Sequence, residues 1–310
     1  MADKIATRDS FSRFLVEYGK DHKELIAMNA DLSCSTQTKA FAAAYPDRHI
    51  NVGIAEQNLM GVAAGLGVSG KTVVASTFCM FAAGRAYEIV RNAIGYSGAN
   101  VKVCASHSGL SVGEDGATHQ SIEDLGLMAM IPGMVVVNPS DDVSARKLLA
   151  QVCDAYGPAY VRLGRAATPV IYKESAKITL GKAVKLREGK DAAIIATGTM
   201  VAPALEAADK LAKAGINVRV LDMHTIKPID KKAILAAAKD TGAIVTAEEH
   251  TIYGGLGSIV SSILAENYPC KLKMVGIKDT YGESGKPDQL LKKYGLTADD
   301  IVKAVKAVKK

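Results

Sequence analysis

A chain of 310 residues has room for about two domains, and with 48% hydrophobic but only 5% aromatic residues and no Trp, its cores must be largely aliphatic. A charged fraction of 23% excludes a disordered polyampholyte. The net charge of +6 is dispersed, and its densest spot, Lys303, Lys306, Lys309 and Lys310, has helical spacing without interleaved aromatics, which argues for a solvated helix face and against nucleic acid.

The five cysteines, Cys34, Cys79, Cys104, Cys153 and Cys270, are odd in number, scattered and without a CxxC pair. Reduced thiols in a cytoplasmic protein are the expectation. The N-terminus has no apolar core of signal-peptide type. No charge-free apolar run reaches the roughly 18 residues of a membrane span.

In chain order, Thr7–Gly19 is predicted as a helix capped by Thr7 and ended by Gly19. A strand at 24–29, a polar loop at 30–37 and a short helix from Lys39 to Tyr45, stopped before Pro46, follow, then a strand near 49–52. Glu56 opens a helix that is apolar almost all round: Leu59, Met60, Val62, Ala63, Leu66 and Val68, with Gly61, Gly65 and Gly67 between. Such a helix belongs in a core or at a subunit interface. Strands at 72–76, 101–105, 134–137 and 159–163 alternate with helices at 85–94 and 121–128 and one capped by Ser140. This alternation predicts a mainly parallel sheet covered on both faces. Periodicity fades between Gly164 and Gly181, the expected linker. A second alternating region follows, closed by a capping box at Thr297–Asp300.

Four features of the first half carry candidate chemistry. Glu56 is either a partner for its helix dipole or a functional acid in a poorly solvated place. The loop Gly113-Glu-Asp-Gly-Ala-Thr-His-Gln120, with His107 twelve positions before His119, leaves the C-terminal end of a parallel strand, where open α/β sheets bind ligands. Two histidines and two acids in one such loop could form a metal site, but helical His-x-x-x-His spacing is absent, and as hydrogen-bond groups for a substrate they need no metal; a plain polar turn is the competing reading. Phe78 and Phe81 form either core or a stacking surface for a flat heterocycle. Arg8, Ser35 and Arg162 are isolated polar groups, of which the arginines suit phosphate capture. In the second half, Glu248, Glu249 and His250 read as a solvated strand end.

The succession Asn51-x-Gly-Ile-Ala-Glu56-Gln, Ser76-Thr-Phe, Gly113-Glu-Asp-Gly-x-Thr-His-Gln120, Ile131-Pro-Gly-Met134 and Ile194-Ile-Ala-Thr-Gly198 resembles the C-terminal half of transketolase, a thiamine-diphosphate enzyme. The resemblance covers nearly the whole chain. It implies two three-layer α/β/α domains: a pyrimidine-binding domain at 1–166, a linker at 167–181 and a transketolase C-terminal domain at 182–310. It implies transfer of a two-carbon ketol unit between sugar phosphates, as in the pentose phosphate pathway. Glu56, His107 and His119 are then the catalytic groups. Glu56, Phe78 and Phe81 contact the cofactor's pyrimidine, and Arg8, Ser35, His107, Asp115, His119 and Arg162 contact substrate.

The family's diphosphate motif, Gly-Asp-Gly followed later by Asn, has no counterpart beyond Gly113-Glu-Asp-Gly116 in the substrate loop. The resemblance is therefore to the C-terminal subunit of a split transketolase. A separate N-terminal subunit would hold the diphosphate and its Mg or Ca ion, two copies of each chain would form a heterotetramer, and the C-terminal domain would mediate self-association. This chain itself would ligate no metal. Gly84 and Ala129 depart from the family, which often has Tyr and Arg there. The competing readings are half of a 1-deoxyxylulose-5-phosphate synthase-like enzyme, the beta subunit of a 2-oxoacid dehydrogenase, and a non-catalytic interaction protein.

Overall fold

The apolar runs Thr72–Ser76, Val101–Ala105 and Ala159–Arg162 become fully buried strands of a seven-stranded sheet in the computed structural model, which describes residues 3–309. Lys310, part of the basic C-terminal spot, lies outside the described residues. The strand order is Thr225–Lys227, Val135–Val137, Ala159–Arg162, Val101–Ala105, Thr72–Ser76, Leu25–Asn29, His49–Asn51. All pairs are parallel except Thr225–Lys227 on Val135–Val137. That antiparallel edge strand comes from the second half of the chain, so the second half completes the first half's sheet.

The second sheet has five strands in the order Lys271–Ile277, Ala243–Thr251, Ala192–Ala196, Val218–Asp222, Val184–Arg187, the last antiparallel. One apolar cluster runs from Val73, Val103 and Tyr160 through Leu221, Met223 and Ile226 to Ile244 and Val260, joining the two halves. The fold class is thus mixed α/β with mostly parallel sheets, as expected. Among the described residues no helix is long and apolar enough to cross a membrane. All five cysteines are free, with Cys79, Cys104 and Cys153 buried.

Local corrections have physical causes. The first helix spans Thr7–Asp21, past the expected stop at Gly19. A Cβ at Gly19 would lie 2.6 Å from the Phe41 ring, so this glycine permits packing rather than ending the helix. Thr7 does not cap; its hydroxyl accepts from the Gly164 amide at 2.7 Å. The helix Asp142–Asp154 is capped by Asp141 rather than Ser140, through reciprocal bonds with Ser144 of 2.8 and 2.9 Å. Ser140 instead donates to Asp222 at 2.7 Å. The helix expected from Arg85 begins at Phe81 and is wound in wide turns, with the Ala86 amide bonded to the Phe81 carbonyl five residues back at 3.0 Å. Such turns concentrate at functional sites.

The Gly164–Gly181 stretch is packed rather than loose. Ala167–Pro169 pairs antiparallel with Lys4–Ala6, and the Ile171 and Tyr172 amides donate to Asp141 at 2.8 and 2.9 Å. The final helix, Ala298–Lys309, has the predicted capping box, with Thr297 and Asp300 exchanging backbone-to-side-chain bonds of 3.3 Å. Its Lys303, Lys306 and Lys309 face solvent.

Candidate active site

Five consecutive strands of the seven-stranded sheet deliver every candidate residue but Arg8 from their C-terminal ends, the edge where parallel sheets expose backbone and side chains to ligands, and Arg8 stands in the first turn of the helix Thr7–Asp21. After His49–Asn51 the chain turns at Gly53, whose φ of 76° favours glycine and whose amide donates to Asn51 Oδ1 at 3.0 Å. The next element is the helix Glu56–Val68, so Glu56 stands in its first turn, where the helix dipole favours a negative charge. Leu59, Met60, Ala63 and Ala64 bury the inner face of that helix, and Glu56 itself is only 2% exposed. Its carboxylate accepts one bond from Arg85 at 2.9 Å, and Arg85 is 54% exposed. The same guanidinium lies 5.0 Å from the Phe81 ring centre. One half-exposed cation therefore touches both the buried acid and the half-buried ring.

Phe78 and His107 come from adjacent strands and are held level by an extension of the ladder. The Cys79 amide donates to the Ser106 carbonyl at 2.7 Å, and the Ser106 amide to the Thr77 carbonyl at 3.0 Å. The rings stack with centres 3.9 Å apart. Phe81 lies 5.6 Å from Phe78, and His119 sits edge-on to Phe81 at 5.4 Å. The structure thus brings Phe78, Phe81, His107 and His119 into one aromatic cluster.

Burial, followed by the charges of Arg8 and Arg165 and by His119, lowers the His107 pKa to about 3. The ring is neutral at physiological pH. Arg8 has only donors, so at 3.4 Å it must meet an acceptor Nε2, which leaves the proton on Nδ1, directed at Ser106 Oγ 2.9 Å away. His107 also adopts a left-handed backbone with φ of 61°. Strain of this kind costs on the order of 1–3 kcal/mol and concentrates where a side chain must be aimed.

Arg8 donates to the Ser35 carbonyl at 3.2 Å, so Ser35 reaches this cluster through its backbone. Asp115 is exposed on the loop, 3.9 Å from Arg165. Arg162 is not where the sequence reading put it. It is 2% exposed and forks onto Asp124 with bonds of 2.8 and 2.9 Å, while Tyr160 donates to the same carboxylate at 2.7 Å. Burial alone would raise the Asp124 pKa, but Arg162 holds it below its ordinary value. Arg162 still lies within its strand, with its side chain turned inward. Three residues later, outside the sheet, Arg165 is half-buried, bonds the Val112 carbonyl and faces Glu114 and Asp115. Arg8 and Arg165 are therefore the guanidinium pair beside His107. The signal for Arg165 is its place just beyond the strand end.

Glu248, Glu249 and His250 are also corrected: they are at most 1% exposed rather than solvated. The strand Ala243–Thr251 continues under the first half's loops, and the Thr251 amide donates to the Ile122 carbonyl at 2.7 Å. Glu248 accepts from the Leu256 and Gly257 amides, both at 2.7 Å, capping the helix Leu256–Asn267. Burial raises its pKa to about 7, against those bonds. His250, whose pKa burial lowers to about 4, accepts from the Gly126 amide at 3.3 Å.

A cavity of about 760 Å³ lies in the second half among Lys273, Lys278, Lys293 and Lys303. A cleft of about 410 Å³ lined by Met80, Thr118, Gln120 and Tyr281 borders the aromatic cluster. Neither is lined by Glu56 or Phe81. Cavity size therefore does not mark the chemistry here; convergence of acid, rings and neutral imidazole does. A buried carboxylate beside an accessible ring fits one edge and face of a nitrogen heterocycle. Among the described residues no group of His, Cys, Asp and Glu is arranged to hold a metal ion.

Residues 3–170 match the family model for the transketolase pyrimidine-binding domain, and residues 181–301 that for the transketolase C-terminal domain. The chain is 46% identical over 301 residues to a putative transketolase C-terminal section of Methanocaldococcus jannaschii, covering 96% of this chain and 94% of that protein. It is 44% identical to a 6-deoxy-6-sulfo-D-fructose transketolase subunit of Clostridium sp. (strain MSTE9), covering 97% and 94%. It spans about half the length of the mammalian transketolases it matches. A solved split-gene transketolase, described as an inactive β4 tetramer, superposes with a TM-score of 0.93 at 49% identity over 98% of both chains.

Proposed function

Because the chain belongs to the transketolase family, matching split subunits over nearly their whole length, we propose that it is the pyrimidine-binding subunit of a two-chain transketolase that moves a two-carbon ketol unit between sugar phosphates. The observation that carries this is Glu56: a buried acid at a helix mouth, next to accessible Phe81, in a chain without a diphosphate motif of its own. Thiamine diphosphate, when bound, supplies the carbon nucleophile that accepts and hands on the ketol unit. The residues of this chain suit its pyrimidine end alone; the diphosphate and a divalent ion fall to an N-terminal partner subunit.

In this reading Glu56 and the Phe81 face, both now touched by Arg85, would receive the pyrimidine, and Glu56 would hold a proton against a ring nitrogen in a place shielded from water. Phe78 and Phe81 present their faces to the ring. His107, being neutral with its proton on Nδ1 toward Ser106, offers Nε2 as an acceptor to a sugar hydroxyl, and His119 and Asp115 border the same space. Arg8 and Arg165 bind the anionic end by charge-assisted bonds. A sulfo-sugar is named for one relative, which is compatible with a guanidinium pair that recognises an anion rather than one particular ester.

The partner surface is the outer face of helix Glu56–Val68. Gly61, Val62, Gly65 and Val68 are exposed there, with Ile54 79% exposed beside them. A Cβ at Gly61 or Gly65 would meet nothing within 4 Å, so this chain's own packing does not require either glycine. Each costs the helix about 0.5–1 kcal/mol, and close approach of another backbone gives them a reason.

Co-expression with a chain carrying Gly-Asp-Gly and a later Asn tests the reading. Ketol transfer from xylulose 5-phosphate to ribose 5-phosphate is expected only with both chains, thiamine diphosphate and Mg present. Turnover by this chain alone would overturn the proposal, as would activity confined to pyruvate plus glyceraldehyde 3-phosphate.

A further inference from the structure

We propose that Glu249, in the second half of the chain, is a positioning residue for the substrate loop: it anchors the turn between His107 and Gly113 and thereby aims His107. The inference rests on the reading of that loop as the sugar site.

Glu249 is 1% exposed, and its carboxylate takes three bonds from two directions: the Ser111 amide at 2.5 Å, Ser111 Oγ at 3.1 Å and Thr199 Oγ1 at 2.8 Å. Thr199 belongs to the second half, so the carboxylate ties the loop to that half's frame. Gly109 shows how closely the turn is wrapped on it. With φ of 70°, its missing Cβ would stand 2.5 Å from Glu249 Cδ. The far end of the loop is braced from the same side, where Gln120 Nε2 donates to the Glu283 carbonyl at 2.9 Å and to the Gly113 carbonyl at 3.2 Å. His107 stands in a left-handed backbone between Ser106, fixed to the sheet, and the Gly109–Ser111 turn, in which Gly109 donates to the Ser121 carbonyl at 2.8 Å and Ser111 is fixed to Glu249. Release of the second anchor lets that backbone relax and turns the ring away from Arg8 and Phe78. Glu248, one residue earlier, provides the contrast, since its bonds cap a helix within its own half.

The test uses the full-length chain with Glu249→Gln, and Glu248→Gln as the comparison. Hydrogen exchange by mass spectrometry on the free chain should show amides of 107–113 exchanging about tenfold faster or more in Glu249→Gln, the change expected on weakening one charge-assisted hydrogen bond. Glu248→Gln should speed exchange in 256–267 and leave the loop alone. In the enzyme assembled with its partner, Glu249→Gln should raise KM for the sugar phosphate about fivefold or more while thiamine diphosphate affinity stays at the wild-type value. If Glu249→Gln does not fold, the Ser111→Ala/Thr199→Ala double variant removes two of the three bonds and keeps the buried charge, with the same outcomes expected. Wild-type exchange in 107–113 would overturn the proposal. So would cofactor affinity falling as far as sugar affinity, the mark of a merely structural residue. The exchange measurement decides the anchor even if the assembled wild-type enzyme proves inactive on sugar phosphates, a result that would overturn only the assigned reaction.

Discussion

Replacing Asp124 by Ala removes the partner of a guanidinium that has no route to water. Arg162 is 2% exposed and Asp124 is fully buried, and the two share bonds of 2.8 and 2.9 Å. Tyr160 loses its acceptor at the same time. Breaking a buried pair by removing one partner costs about 3–5 kcal/mol, because the remaining charge stays desolvated. Set against a typical total of roughly 5–15 kcal/mol, this is a severe loss. Urea unfolding followed by far-UV circular dichroism should show it at neutral pH. The combined variant Asp124→Ala/Arg162→Met should recover much of it by removing the orphaned charge. The pair also sets a pH dependence. The Asp124 pKa is held down in the folded state, so its contribution is present above the ordinary carboxylate range and is lost as pH falls through that lowered value. The gap between wild type and Asp124→Ala should therefore narrow in acid. A loss of under about 1 kcal/mol, the range of a solvated surface pair, would refute the reasoning and return Arg162 to the phosphate site.

Asp222→Asn should gain stability relative to wild type between about pH 4 and about pH 7. Burial, partly countered by bonds from Ser140 and Tyr172, raises the Asp222 pKa from 3.8 to about 7, so the folded wild type loses stability as pH rises through that window; thermal melts across the range measure it. Arg165→Ala in the assembled enzyme should raise KM for the sugar phosphate about tenfold or more with a smaller change in kcat, read from initial rates. Gly61→Ala should stabilise the free chain by about 0.5–1 kcal/mol, since the helix gains a better former and its Cβ meets open space. The same variant should weaken assembly with the partner, seen by sedimentation; an unchanged assembly constant would remove that helix face from the interface.

The parts legible in the sequence are those set by local pattern. The buried strands announce themselves as apolar runs, and their order leads straight to loops carrying Phe78, His107 and His119. Glu56 stands out because a single carboxylate opens an otherwise apolar helix. The illegible parts depend on where a strand stops and on what lies above it. Arg162 and Arg165 are three positions apart in the sequence. Only the register, with Arg162 still paired to Ala105, shows that one points inward and the other leaves the sheet. Glu248, Glu249 and His250 look like a wet strand end because Glu249 and His250 are covered by Ser111 and Gly126, more than a hundred residues away, and Glu248 by the turn of helix that follows its own strand. Ser140 and Asp141 are both good capping residues, and the choice between them follows from Ser140 being drawn to buried Asp222. The edge strand Thr225–Lys227 is too short for a pattern of its own and forms because Val135–Val137 offers a free edge.

Glu56→Gln, assembled with the partner chain, tests the central claim most directly. The substitution keeps the size and one acceptor of a side chain that is 2% exposed, so circular dichroism and assembly should match the wild type. Ketol transfer should fall by about a hundredfold or more, the scale of a lost general acid–base group. Near wild-type turnover in that folded, assembled variant would contradict the account.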